Sequence, residues 1–106
     1  MAPMSLDHLD AIIAARASAS AERSYTRKLL DGGPSRTARK FGEEAVEAVI
    51  AAVEGDRVAL TKEAADVLFH LLVLLRSSGV TLEAVMDELQ VRTMRSSLEE
   101  KAARHG

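Results

Sequence analysis

Glu43-Glu44-Ala45-Val46-Glu47-Ala48-Val49-Ile50-Ala51-Ala52-Val53-Glu54-Gly55 is the stretch on which the fold turns. It shows none of the period-two alternation that a strand requires. From Ala45 to Val53 only Glu47 interrupts the apolar residues. A helix here is apolar nearly all round and is expected to be buried on most faces. Val46, Val49, Ile50 and Val53 form its bulky stripe. With about 100° between successive residues, Glu43 falls roughly 60° from Val46, and Glu47 and then Glu44 fan out beyond it. The three carboxylates thus make one wedge beside the stripe. Gly55 suits the position that ends a helix. In the other direction the helix extends to about Ser35, with Pro34 placed for its first turn.

Working outward, Asp56 can cap a following helix that runs to Ser78 and stops at Gly79. Between Lys62 and Arg76 its aliphatic residues point in almost every direction. The exceptions are Glu63, Asp66 and His70, whose i, i+3, i+7 spacing sets them within about 60° of one another. Thr81 starts a further helix through Leu82, Val85, Met86 and Leu89. On the N-terminal side, Ser5 caps a first helix carrying Leu6, Leu9, Ile12 and Ile13, which fades into the joint Ala17-Ser18-Ala19-Ser20. A short helix from about Ser24 to Leu30 ends at Asp31-Gly32-Gly33. The tail carries a capping box, Ser97-x-x-Glu100, but little apolar periodicity. It reads as a short helix, an extension or a flexible end. With no strand pattern and no internal repeat, the expectation is an all-α, up-and-down bundle of four to five helices.

The composition narrows the function classes. A chain of 106 residues fits a single domain over 1–106, with residues 1–4 and about 97–106 as flexible ends. Aromatic residues are only 3% of a chain that is 47% hydrophobic, so the helices are expected to pack through Ala, Leu and Val. A net charge of −2 provides no global basic field, which argues against nucleic acid as a partner. The chain has no cysteine, which excludes disulfides, thiolate metal sites and a thiol nucleophile. Residues 1–23 lack a secretory layout. The most apolar stretch, Val67 to Leu75, is too short to span a bilayer. A soluble, cytoplasmic protein without a membrane partner is expected.

Carboxylates on helices that otherwise call for burial are costly unless paired or bound to a cation. Lys40, Lys62, Arg57 and Arg39 are too few and too peripheral to neutralise Glu43, Glu44, Glu47, Glu63 and Asp66. Crowded like charges would raise one another's pKa until some were protonated. A hard divalent cation removes the conflict, and all-oxygen ligands favour Mg²⁺ or Mn²⁺ over zinc or copper. Either motif alone is common on solvated helix faces. Their pairing on two consecutive apolar helices is what solvation does not explain. A di-iron bundle would show Glu-x-x-His, and none of His8, His70 and His105 lies three residues after a Glu.

These residues carry a resemblance. Glu43-Glu44-x-x-Glu47, a 15-residue spacer (Ala48 to Lys62) and Glu63-x-x-Asp66 resemble the signature of the MazG-type all-α nucleoside-triphosphate pyrophosphohydrolases. Three segments make the chain similar to one family within that superfamily, the phosphoribosyl-ATP pyrophosphohydrolases of histidine biosynthesis. They are Ser24-Tyr25-Thr26-x-x-Leu29, Lys40-x-Gly42-Glu43-Glu44-Ala45-x-Glu47, and Glu63-Ala64-Ala65-Asp66 with His70-Leu71-Leu72-Val73-Leu74-Leu75. The similarity covers about Leu6 to Leu89. It implies Mg²⁺-dependent hydrolysis of the α–β phosphoanhydride of 1-(5-phosphoribosyl)-ATP, and a homodimer. By position, Glu44, Glu47, Glu63 and Asp66 match the family's metal ligands. Glu43 matches an additional acid that would orient or deprotonate water. The cyclohydrolase domain of two-domain relatives is not expected in a chain of this length without cysteines.

For such a nucleotide substrate, Lys40 is about one turn before Glu44 and within reach of a phosphate. Lys28 and Arg27 are placed similarly beside the Ser24-Tyr25-Thr26 turn, whose hydroxyls can donate to phosphate or ribose. The plainer reading makes Arg27 and Lys28 solvated charges and Tyr25 a packing residue. His70 either bonds the site or serves as a core or interface histidine. Gly42, inside a helix, costs about 1 kcal/mol relative to Ala and suggests a close approach of another helix or of the ligand. The central helices carry more apolar surface than the short remaining elements can cover, which also predicts a homodimer. Two alternatives share these features: a house-cleaning (d)NTP pyrophosphatase, and a non-enzymatic helical dimerisation module.

Overall fold

The computed structural model describes residues 3–20 and 24–105, with side chains up to residue 95. Its elements are α1 (Leu6–Ala17), α2 (Tyr25–Asp31), α3 (Gly33–Glu54), α4 (Arg57–Ser77) and α5 (Leu82–His105). Among the described residues there is no strand, and no helix is long and apolar enough to cross a membrane.

Local chemistry sets the helix ends. Ser5 caps α1 by accepting from the His8 amide, and Ser24 caps α2 by accepting from that of Arg27. Gly33 stands at the junction of α2 and α3 with a φ of 76°, a left-handed conformation that favours glycine. Gly55 closes α3 in the same conformation. The Gly55 and Asp56 amides donate to Ala52 and Ala51 (both 3.1 Å), which satisfies the last carbonyls of α3. The Asp56 carboxylate then accepts from Ala59 N at 2.9 Å, so α4 starts at once. This two-residue joint folds α4 back along α3, and that hairpin is the scaffold of the molecule.

The core lies at one end of this hairpin. Ile13 of α1, Leu29 of α2, Leu72 and Val73 of α4, and Leu82 of α5 form the buried cluster, with Leu9, Leu30, Phe69 and Leu75 against it. The long helix α3 contributes no large aliphatic side chain to the cluster; its buried residues are Thr37, Glu44 and Ala51. This corrects the expectation that α3 is buried on most faces. Val46, Val49, Ile50 and Val53 are 58%, 61%, 50% and 83% exposed. The physical reason is that α1 and α2 cover the far side of the hairpin and leave this stripe without a neighbour.

At Gly42 the close approach of another helix is not found: apart from its chain neighbours and its own helix backbone, nothing lies within 4 Å of the place its Cβ would occupy. Of the three readings of the tail, the extension is the one found. With neither Gly nor Pro between Leu82 and His105, α5 continues unbroken, and no new helix begins at Ser97.

Candidate active site: an acidic cluster beside a basic cleft

The α3–α4 hairpin brings the two acidic motifs together. One carboxylate oxygen from each of Glu44, Glu63 and Asp66 lies within 4.8 Å of the other two. Glu44 is buried, only 8% exposed. Its Oε1 lies 3.4 Å from Lys40 Nζ, and the same ammonium is 3.6 Å from Glu43 Oε2. The Lys40 ammonium is held above its ordinary pKa, first by its hydrogen bond to Glu44 and then by the Tyr25 hydroxyl.

Glu63 shows what the cluster lacks. Its Oε2 is buried without a hydrogen-bond partner. Its pKa is pushed up, first by the hydrogen bond that its protonated form makes to Glu47 and then by burial. The charges of Glu47, Asp66 and Glu44 add to the effect. Glu47 therefore borders the same group from the α3 side, and Glu47 and Glu63 line one shallow hollow. Two carboxylates cannot satisfy each other as anions, because neither carries a donor. A divalent cation would relieve the orphaned oxygen and the mutual repulsion together, and an all-oxygen donor set fits a hard ion. The site residues thus fit a metal.

A cleft of about 580 Å³ opens beside this cluster, with Tyr25, Ser35, Arg36, Arg39, Lys40 and Glu43 in its walls. Its size is that of a small-molecule pocket. Glu43 lies on the cleft side of the acidic group, and Lys40 stands between the two regions.

The Ser24-Tyr25-Thr26 turn divides on inspection. Tyr25 is exposed and faces the cleft. The buried Ser24 hydroxyl is occupied by the fold, donating to Arg16 O at 3.0 Å and accepting from Arg27 N at 3.1 Å. Thr26 is 1% exposed, so its side chain also belongs to the interior. Arg27 pairs with Asp31 at 2.8 Å and donates to Ala17 O. Lys28 is exposed on α2, away from the cleft lining. His70 is buried and edge-on to both Tyr25 (centroids 6.1 Å apart) and Phe69 (5.1 Å). Burial pushes its imidazole below the ordinary value, against the opposing pull of Glu44. Thus the fold groups Glu44, Glu63 and Asp66 with Glu47 bordering them, and sets Glu43, Lys40, Tyr25 and His70 around that group.

Sequence reasoning passed over Arg36 and the cleft role of Arg39. Their signal was present, because Arg36, Arg39 and Lys40 at i, i+3 and i+4 must share one face of α3.

An all-helical hairpin that pairs Glu-Glu-x-x-Glu with Glu-x-x-Asp beside a cationic cleft defines the class of all-α, MazG-type pyrophosphohydrolases. Comparison with known proteins makes the assignment narrower. The family described as phosphoribosyl-ATP pyrophosphohydrolase matches residues 6–93. Phosphoribosyl-ATP pyrophosphatase of Methylobacterium nodulans is 59% identical over 104 residues, 98% of this chain and 97% of that protein. Phosphoribosyl-ATP pyrophosphatase 1 of Rhodopseudomonas palustris is 61% identical over 104 residues, with the same coverage. The Methylobacterium radiotolerans phosphoribosyl-ATP pyrophosphatase is 56% identical over 104 residues, again covering 98% and 97%. The chain belongs to the phosphoribosyl-ATP pyrophosphohydrolase family.

Proposed function

We propose that the chain hydrolyses 1-(5-phosphoribosyl)-ATP to 1-(5-phosphoribosyl)-AMP and pyrophosphate in histidine biosynthesis, with the cytoplasm as its compartment. The observation that carries this reading is close relatedness, along nearly the whole chain, to proteins named for that activity. The family match favours neither a house-cleaning (d)NTP pyrophosphatase nor a non-enzymatic dimerisation module.

Glu44, Glu47, Glu63 and Asp66 are the residues that would hold Mg²⁺, with Mn²⁺ as a substitute. When bound, such an ion neutralises phosphate charge and acidifies water. Glu43, on the cleft side and paired with Lys40, accepts a proton from the attacking water. The water oxygen bonds to the α-phosphorus while the α–β bridging bond breaks, and pyrophosphate leaves with that bonding pair. Lys40 faces the phosphates and offsets their charge. Tyr25 presents its ring and hydroxyl to the nucleotide, and His70 and Phe69 hold that ring in place. Ser24 and Thr26 serve the site by fixing the turn. Glu47→Gln and Asp66→Asn test the assignment. Each should lower Mg²⁺-dependent pyrophosphate release by roughly a hundredfold or more, as loss of one charged partner in a metal site allows. Unchanged turnover in both variants would remove these carboxylates from the metal site.

The active form is proposed to be a homodimer. Val46, Val49, Ile50 and Val53 form an exposed stripe on α3, an apolar surface of the kind that monomers rarely leave open. Sedimentation equilibrium is the check: the wild-type chain should run at twice its mass, and Val49→Lys should shift it to the monomer.

A further inference from the structure

We propose that Arg36 and Arg39 form a second phosphate subsite that takes the 5′-phosphate of the phosphoribosyl group and so selects phosphoribosyl-ATP over an ordinary nucleoside triphosphate. The inference rests on the function proposed above and identifies the part of the chain that distinguishes its substrate.

The cleft has two electrostatic ends. At the acidic end Lys40 is already engaged by Glu43 and Glu44. At the other end Arg36 and Arg39 share the cleft wall, and among the described residues neither has a carboxylate within ion-pair distance. Two guanidinium groups on one face without an acid leave an uncompensated positive field, and their forked donors match a phosphate monoester. Arg36 lies two helical turns, about 12 Å, from Glu44 along the α3 axis. Lys40, four residues before Glu44, stands about half as far, so Arg36 is the cleft cation most remote from the acidic cluster along α3. Phosphoribosyl-ATP is anionic at both ends, and only its phosphoribosyl phosphate is remote from the anhydride that is cut.

Gly32 supplies an independent observation. Its φ of −77° is ordinary backbone, so conformation does not call for glycine there. Space does. A Cβ at Gly32 would collide with Arg36 Cδ and lie 2.9 Å from Arg36 Cβ. The stem of Arg36 therefore lies against the α2–α3 joint, in room that the missing side chain leaves, and its head is carried into the cleft wall that Gly32 also lines. Gly32 acts as a positioning residue for Arg36.

The test uses the full chain with Mg²⁺ and the variants Arg36→Gln, Arg39→Gln, their double and Gly32→Ala. Steady-state kinetics with phosphoribosyl-ATP are combined with inhibition by phosphoribosyl-AMP and by ATP. The double variant should raise the KM for phosphoribosyl-ATP and the Ki of phosphoribosyl-AMP by about tenfold or more, as expected for lost charge-assisted bonds to phosphate. Its kcat should fall much less, and the Ki of ATP, which lacks the phosphoribosyl group, should stay the same. Gly32→Ala should give the same split in weaker form. Equal weakening of ATP and phosphoribosyl-AMP would overturn the proposal by moving the arginines to the triphosphate. No change in either would remove the subsite. A wild-type chain that releases no pyrophosphate from phosphoribosyl-ATP would instead overturn the function on which the inference rests, so the two failures are distinct.

Discussion

Glu63 concentrates the electrostatic problem of the site in one side chain. Its carboxyl is pushed above its ordinary value of 4.5 by Glu47, burial and the surrounding acids. A raised folded-state pKa means that its contribution to stability is complete below pH 4.5 and is lost as pH rises through the shifted value. In EDTA, therefore, Glu63 weakens the fold progressively toward neutral pH. A bound cation reverses the sign by favouring the charged form. Thermal melts from pH 4 to 8 should show Mg²⁺ raising the midpoint more at pH 8 than at pH 5, and Glu63→Gln should abolish the difference. A constant Mg²⁺ effect across that range would contradict the role given to Glu63. His70 acts in the opposite sense. Its folded pKa is lowered by burial, so its contribution is present above its ordinary 6.5 and is lost as pH falls. The Glu63→Gln melts should therefore keep an acid-side decline, which His70→Gln removes.

The α3–α4 hairpin depends on its two-residue joint. Gly55→Ala would force an ordinary residue into the left-handed region at roughly 1–2 kcal/mol, and Asp56→Ala would remove the α4 cap at about 1 kcal/mol. Urea unfolding should show losses of that size, with metal affinity falling alongside because the same joint sets Glu44 against Glu63. The joint was legible in the sequence because caps and left-handed glycines are local chemistry. The acidic motifs were legible for a related reason: fixed helical spacing places Glu43, Glu44 and Glu47 together, and likewise Glu63, Asp66 and His70. What remained hidden depends on neighbours. Nothing within α3 says that its valine stripe faces away from α1 and α2. Nothing in Ser24-Tyr25-Thr26 says that Ser24 caps α2 and Thr26 turns inward while Tyr25 faces the cleft. Arg36 was passed over because a lone arginine on a helix is ordinarily a solvated charge, and only the space at Gly32 shows where its stem lies.

At the scale of the whole molecule, the chain is extended, with axes of 60 × 35 × 34 Å and a radius of gyration of 17.0 Å. A compact chain of this length has a radius of about 13 Å. The excess comes largely from α5, which packs through Leu82 but leaves Met86, Leu89, Val91 and Met94 exposed. In the proposed homodimer a second copy would cover this surface and the open α3 stripe. A dimer of this kind couples folding to association, so the thermal midpoint should rise with protein concentration, and in Val49→Lys it should not. The activity is the more direct question. Pyrophosphate release should be measured side by side on phosphoribosyl-ATP, ATP and the common dNTPs with Mg²⁺ present. Rapid release from phosphoribosyl-ATP alone, abolished by EDTA, is the expected result. Release from the dNTPs at comparable rates, or none from phosphoribosyl-ATP, would contradict the account.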